Sequence, residues 1–399
     1  MRKIAFSPPD ISEEEVSAVS DALRSGWITT GPRTKEFEKE IASYCHTKQA
    51  VCLHSATAAM EMTLRLLGIG PGDEVITSAY TYTASASVIH HVGAKIVLVD
   101  TVPGGFHLDP EQVRARINEK TKAIIPVDIA GVICDYQKLR EAIEDKKDLF
   151  VPANPLQEQF GRVIIVADAA HAFGAEREGK ICGTHADFTC FSFHAVKNLT
   201  TAEGGAVVWN FPQSDDARIY KQYMLLSLHG QDKDALAKTK VGAWEYDIVV
   251  PYFKCNMTDI TAALGLAQLS RFPALLARRR ELLALYEEAL ADLPVSWLAH
   301  ETDIYRSTAH LFLLRLEGKS EAERNRIITR MEERGISCNV HYKPLPMLTA
   351  YKNLGFAIED YPHAYAMYEN EMTLPLHTQM QDDDVRYVAA SLRDVLQTI

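Results

Sequence analysis

Four short stretches of this 399-residue chain place reactive side chains directly after apolar runs. In FSFHAVKNLTTAEGG, at 191–205, Lys197 follows Ser192 by five residues and precedes Thr200-Thr201 and then Glu203-Gly204-Gly205. Most lysines are solvated cations among polar neighbours. An amine held in apolar company has a lowered pKa and condenses with a carbonyl. RVIIVADAAH ends in Asp168, Ala169, Ala170 and His171. A carboxylate closing so apolar a run is costly to desolvate unless it meets a cation, and a protonated heterocyclic nitrogen is one such partner. DEVITSAY leads into Thr81-Tyr82-Thr83, which sets an aromatic ring beside the same edge. AVCL leads into His54-Ser55-Ala56-Thr57-Ala58. Small residues opening a helix offer free N–H groups, a dipole and a threonine hydroxyl to a phosphate.

Each stretch alone has an ordinary reading: a solvated lysine, an N-capping Asp or Ser, a packed tyrosine. Together they supply what pyridoxal 5'-phosphate requires. The phosphate needs amides and hydroxyls, the ring needs a stacking partner and a carboxylate at its nitrogen, and the aldehyde needs a lysine.

The elements that must position these residues follow from the apolar pattern. AKIVLVD, TKAIIPVDIAG, RVIIVADAAH and ADFTCFSF are continuous β-branched or aromatic runs rather than alternating ones, as in strands buried on both faces. They alternate with helix-like stretches, which predicts an α/β fold with a mostly parallel sheet over about residues 45–210. Ligands of such sheets bind outside the carboxyl ends of the strands, where all four stretches fall. SEEEVSAVSDALRSG reads as a helix with a Ser12–Glu15 capping box and a stop at Gly26. A helix-rich segment at 257–293 reads as a connector whose Arg278-Arg279-Arg280 cluster forms a solvated face. The remainder reads as smaller α+β structure. Residues 1–256 are expected to form a large cofactor-binding domain with an N-terminal helical arm, and 257–399 a connecting helix and a small domain.

Composition narrows the function. A net charge of −11 argues against nucleic acid as a partner. Seven scattered cysteines with no C-x-x-C pair indicate neither a disulfide framework nor a zinc ribbon, so no metal is expected. No apolar run of about 18 residues and no leader-like N-terminus appear, so a reduced, cytoplasmic enzyme with no membrane partner is expected.

With WITTGP (27–32), SATAA (55–59), GIGPGDEVI (68–76), VADAAHAFGA (166–175), FSFHAVKNLTTAEGGAVV (191–208) and NMTDITAALGLAQL (256–269), the chain resembles the DegT/StrS family of nucleotide-sugar aminotransferases from Phe6 to about Leu392. The resemblance implies the aspartate aminotransferase (type I) fold of pyridoxal-phosphate enzymes and an obligate homodimer with shared sites. It implies that Lys197 links to the cofactor and moves the proton, that Asp168 meets the pyridine nitrogen, and that His171 lies beside the ring oxygen. Tyr82 matches the stacked aromatic, Ala56, Thr57 and Ser192 match phosphate contacts, and Asn256 matches an asparagine reaching the phosphate of the other subunit. His229 and His341 match positions near the substrate. The implied reaction moves an amino group from L-glutamate to a keto group, C4 by preference, of a nucleotide-linked deoxysugar, in surface-polysaccharide or amino-sugar biosynthesis. A cyclitol or 3-keto-sugar aminotransferase of antibiotic biosynthesis is the alternative. Lys197 disfavours the family's dehydratases, which carry histidine there, and a non-catalytic regulator has no need of Lys197, Asp168 and the phosphate residues together. Three departures stand out: Asp128 where many members have histidine, Ala56 where glycine is common, and a longer segment at 145–161 without an assigned role.

Overall fold

The computed structural model describes residues 2–233 and 245–398. Its centre is a seven-stranded sheet in the order Ala50–Leu53, Gly205–Trp209, Phe188–Ser192, Ile164–Asp168, Thr121–Ile125, Glu74–Ser78 and Lys95–Val99. Five of these strands are buried along their whole length, which is why their sequences are continuously apolar. The Lys95–Val99 edge strand exposes Lys95. Pairing is parallel from Phe188–Ser192 outward to Lys95–Val99. Gly205–Trp209 runs antiparallel to both neighbours. The return from Ser192 to Gly205 contains no helix of the kind a parallel crossover uses.

Two buried clusters cover the two faces of this sheet. A third, built on Leu282, Tyr286, Phe312, Ile327, Met372 and Val388, surrounds a three-stranded sheet of Val295–Trp297, Phe312–Leu316 and Glu371–Leu374. Ile4 belongs to this third cluster and bridges to Ile336, so the N-terminal arm ties the chain's beginning to its C-terminal part. The Ser12–Glu15 capping box starts the helix Glu13–Arg24, and Gly26 follows it at φ +74°.

The long helix Asp259–Leu290 runs between these bodies. Part of it is apolar enough for a membrane by length and composition, yet it packs on the helices Glu13–Arg24, Pro32–Tyr44 and Asp382–Leu396. The arginine cluster is not the solvated face its sequence suggests. Arg279 is 4% exposed and donates to the carbonyls of Ala309, His310 and Leu376 at 2.8–2.9 Å. A guanidinium has five donors, so one buried arginine can satisfy several carbonyls where the chain turns without regular structure. Arg278 pairs with Glu281 and Asp382 at the edge.

The 145–161 segment has a structural place. Asn154 caps the helix Pro155–Phe160, and Asn154 and Gln157 both donate to the Leu67 carbonyl at 2.8 Å. Leu67 closes the helix Ala56–Leu66, so the segment satisfies an orphan acceptor at the far end of the helix that opens the candidate site.

Candidate functional site

A cavity of about 350 Å³ opens at the carboxyl ends of the parallel strands, within the range of small-molecule sites. Ala56, Thr57, Tyr82, Asp168, His171, Ser192, Lys197 and His341 all line it. Each of the four sequence stretches reaches it because its strand ends there.

The floor is set by Ile164–Asp168, whose last residue turns its carboxylate inward. Asp168 accepts from the Ser85 hydroxyl at 2.6 Å and the Ala170 N–H at 3.2 Å. Both donors are neutral. Burial therefore outweighs these bonds and the attraction of Lys197, and raises the carboxyl pKa. A carboxylate in this state is matched to a protonated ring nitrogen, which would supply the missing charge.

Lys197 follows the Phe188–Ser192 strand on a turn closed by its N–H on the His194 carbonyl, 2.8 Å. Lys197 lines the cavity and is only partly exposed. Burial pushes the amine down to about 8, against the opposing pull of Asp168. Such an amine has an appreciable free-base fraction near neutral pH, as a nucleophile or proton carrier needs. The next residue anchors the turn: Asn198 donates to the Thr308 carbonyl at 2.8 Å, and its side-chain oxygen meets His310 Nδ1 at 2.9 Å.

His171 is fixed as well. Its Nδ1 accepts the Ala130 N–H at 3.1 Å, so the ring proton sits on Nε2, 3.2 Å from the Tyr342 hydroxyl. Burial and the Lys197 charge hold its pKa well below the ordinary value, so it stays neutral. His171 is thus a hydrogen-bond donor into the cavity.

The opposite wall is the start of the helix Ala56–Leu66. Ser55 caps it by accepting the Ala58 N–H at 3.0 Å. Ala56 adopts helical backbone, so it does not need glycine's freedom. Gly205 is the position where a side chain cannot be accommodated. A Cβ there would lie 2.4 Å from Ala56 N and from Ser55 C, so the sheet approaches the helix start as closely as a backbone can. The N–H groups of this turn, Thr57 and Ser192 line the same end of the cavity, an arrangement that could hold an anion. Tyr82, 60% exposed, has its ring 5.9 Å from that of Tyr342 beside the cavity.

Cradle, carboxylate, donor, aromatic ring and depressed lysine amine thus fit the groups of pyridoxal phosphate in number and kind. The other positions fall elsewhere. Asn256 is outside the cavity of its own chain, bridged to Leu53 and donating to Thr30. His229, at φ +59°, donates its N–H to the Phe253 carbonyl and does not line the cavity. Asp128 turns away from the cavity to bond Cys134 N at 2.8 Å and the Tyr136 hydroxyl at 3.0 Å, while Val127 faces inward. Sequence reasoning missed Ser85, Tyr342 and His310. Ser85 lies one helical turn past Thr81, a spacing that points to the same edge; nothing local marks the other two, which arrive from distant segments.

Comparison with known proteins agrees with this geometry. Residues 9–393 match the model of the DegT/DnrJ/EryC1/StrS aminotransferase family. The spore coat polysaccharide biosynthesis protein SpsC of Bacillus subtilis is 36% identical over 398 residues, spanning 99% of this chain and 97% of that one. Among solved structures, Spr1654 of Streptococcus pneumoniae, described as a sugar aminotransferase, has been seen in apo, PMP and PLP forms. Its PMP form is 54% identical with a TM-score of 0.97, covering 99% of this chain and all of that one. PseC of Helicobacter pylori, an aminotransferase involved in pseudoaminic acid biosynthesis, is 27% identical with a TM-score of 0.87 over the whole of both chains.

Proposed function

The chain belongs to the DegT/DnrJ/EryC1/StrS aminotransferase family, a family of pyridoxal-phosphate-dependent sugar aminotransferases, and within it we propose that it moves an amino group from L-glutamate to the C4 keto group of a nucleotide-linked deoxysugar. The observation carrying the amino-transfer chemistry is one cavity lined by both a depressed lysine amine, Lys197, and a buried carboxylate, Asp168; the donor and the sugar rest on the family resemblance.

Pyridoxal phosphate, when bound, supplies a carbonyl that takes up amines and a ring that draws electrons from the substrate carbon. Lys197 would hold the carbonyl end of the cofactor, and its amine would carry the proton from the donor's Cα. In the sugar half-reaction the same amine returns a proton to the sugar carbon. Asp168 keeps a positive charge on the ring nitrogen, and Ser85 orients that carboxylate. His171 donates its Nε2 proton to an oxygen at the ring edge. Ala56, Thr57 and Ser192 bind the phosphate, and Tyr82 covers the ring face. His341 contacts substrate.

The active form is a homodimer. Asn256 sits outside its own cavity, which supports a role at a partner's phosphate rather than at its own. Ile248, Val249 and Val250 nearby, and Ile11, Val16 and Leu23 on the N-terminal arm, are exposed apolar side chains that a second copy would cover. His229, in the same region as Val250, would then approach the partner's site. Surface polysaccharide assembly is the setting SpsC's name suggests.

The test is the reverse half-reaction. Enzyme loaded with pyridoxal phosphate is mixed with a panel of 4-amino and 3-amino sugar nucleotides and aminocyclitols, and conversion to pyridoxamine phosphate is read by absorbance. Conversion by a 4-amino sugar nucleotide and by L-glutamate is expected. Conversion only by aminocyclitols or 3-amino sugars would replace the substrate assignment.

A further inference from the structure

His341 lines the cavity, and its other side is wired to a buried carboxylate. Its Nδ1 lies 2.9 Å from the Thr373 hydroxyl, which lies 2.6 Å from Glu371 Oε1. The second carboxyl oxygen, Oε2, accepts the His341 backbone N–H at 2.9 Å. Glu371 and Thr373 stand two apart on the strand Glu371–Leu374 and so share a face. Both are fully buried. The imidazole plane is held by stacking on Phe6, 5.5 Å between centroids at 21°, and the His341 carbonyl accepts from Tyr80 at 2.9 Å. With Nδ1 committed to Thr373, Nε2 is the nitrogen left for the cavity.

A hydroxyl has one proton to give, so this chain has two consistent arrangements. With Glu371 ionised, Thr373 donates to the carboxylate and accepts from Nδ1–H, leaving a bare Nε2. With Glu371 protonated on Oε1, Thr373 accepts from the carboxyl and donates to Nδ1, so Nε2 carries the proton. Passing from the second to the first, the Glu371 proton moves to Thr373, the Thr373 proton moves to Nδ1, and the Nε2 proton leaves through the cavity. One proton is lost, and the charge rests on Glu371.

We propose that Glu371 and Thr373 are positioning residues forming a proton relay that sets His341 as donor or acceptor toward the cavity, and that the donor form binds an acceptor-only oxygen of the substrate, such as a keto or phosphate oxygen. The substrate half rests on the function proposed above; the relay does not. Two conditions for it are met. Burial and the Lys197 charge push His341 down to about 3, so its ring is neutral throughout and only its tautomer changes. Burial pushes Glu371 up to about 8, which puts its ionisation in a working pH range. The groups facing Glu371 are Arg324 from the helix Glu321–Glu333, which bonds the Glu371 carbonyl at 2.8 Å and favours ionisation, and Tyr80, Tyr342, His341 and Cys338. Arg324 is the one cation among them, and its bond goes to the backbone rather than the carboxylate.

The full-length protein labelled with 15N-histidine reports the tautomer directly, with His341→Asn identifying the signal. Nε2 should be protonated below and bare above a transition near pH 8. Glu371→Gln, whose amide can donate to Thr373 as the neutral acid does, should hold Nε2 protonated throughout, and Thr373→Val should abolish the transition. In the sugar half-reaction, KM should rise about tenfold through the same range, the worth of one hydrogen bond lost to a bare nitrogen, with kcat little changed. The rise should vanish in Glu371→Gln. A His341 tautomer that ignores pH in the wild type, or shifts identically in Glu371→Gln, overturns the relay; an equal rise in KM in both proteins overturns its link to substrate. A protein that takes up no cofactor would defeat the proposed function while leaving the nitrogen signals to decide the relay.

Discussion

Replacing Gly205 by alanine tests whether the start of the helix Ala56–Leu66 is the phosphate cradle. The added Cβ would sit 2.4 Å from Ala56 N and Ser55 C and 2.7 Å from Phe191 O. All three are backbone atoms, so no side chain can swing aside. Relief to ordinary contact needs about 1 Å of separation between the helix start and the strand Gly205–Trp209. Overpacking of this kind costs about 1–3 kcal/mol of stability. The larger consequence falls on binding, because the displaced atoms include the N–H groups proposed to hold the phosphate. A misplacement of about 1 Å costs up to about 100-fold. Urea denaturation measures the first effect, and titration of the apo-protein with pyridoxal phosphate, followed by its visible absorbance, measures the second. We expect cofactor affinity to fall about 10- to 100-fold in a protein that still folds. Unchanged affinity despite the stability loss would refute the cradle, since the cavity wall would have moved without consequence.

Asp168→Asn should retain the Ser85 bond but lose the charge proposed for the ring nitrogen, so transamination should fall about 100- to 1,000-fold while the cofactor still binds. The same change removes the one influence raising the Lys197 pKa, so the pH midpoint for cofactor capture should move down from about 8; an upward move would contradict the electrostatics. Asp128→Asn probes a different burial. Asp128 is raised from its ordinary 3.8 to about 7, so it stabilises the fold while protonated and loses that contribution as pH rises from about 4 to about 7. The variant has no proton to lose, and its stability should stay flatter across that window by up to a few kcal/mol. A parallel pH profile for the two proteins would show that Asp128 does not titrate there.

The sheet and the core of the site were legible because one physical rule wrote both. Strands buried on two faces are continuously apolar, and their ends must carry whatever chemistry the fold performs, so Asp168, Lys197, Tyr82 and the Ser55–Ala58 turn announced themselves by position. Residues working from afar left no such mark. Tyr342 arrives from the segment before the last strand, and Thr308 and His310 reach across to steady Asn198 beside Lys197. Arg279 defeated the reading of its own cluster, since three consecutive arginines look solvated until a broken backbone offers carbonyls to one of them. The 145–161 segment was opaque because its work, capping the Leu67 carbonyl, depends on a helix end more than 80 residues earlier in the chain.

The account turns on Lys197 as the residue that holds the cofactor. Borohydride reduction of the protein loaded with pyridoxal phosphate, followed by peptide mass mapping, tests this directly. The account predicts a covalent pyridoxyl mass on the peptide containing Lys197, together with loss of the visible band, and no such adduct in Lys197→Ala. A pyridoxyl group fixed on a different lysine, or a visible band that survives in Lys197→Ala, would contradict it.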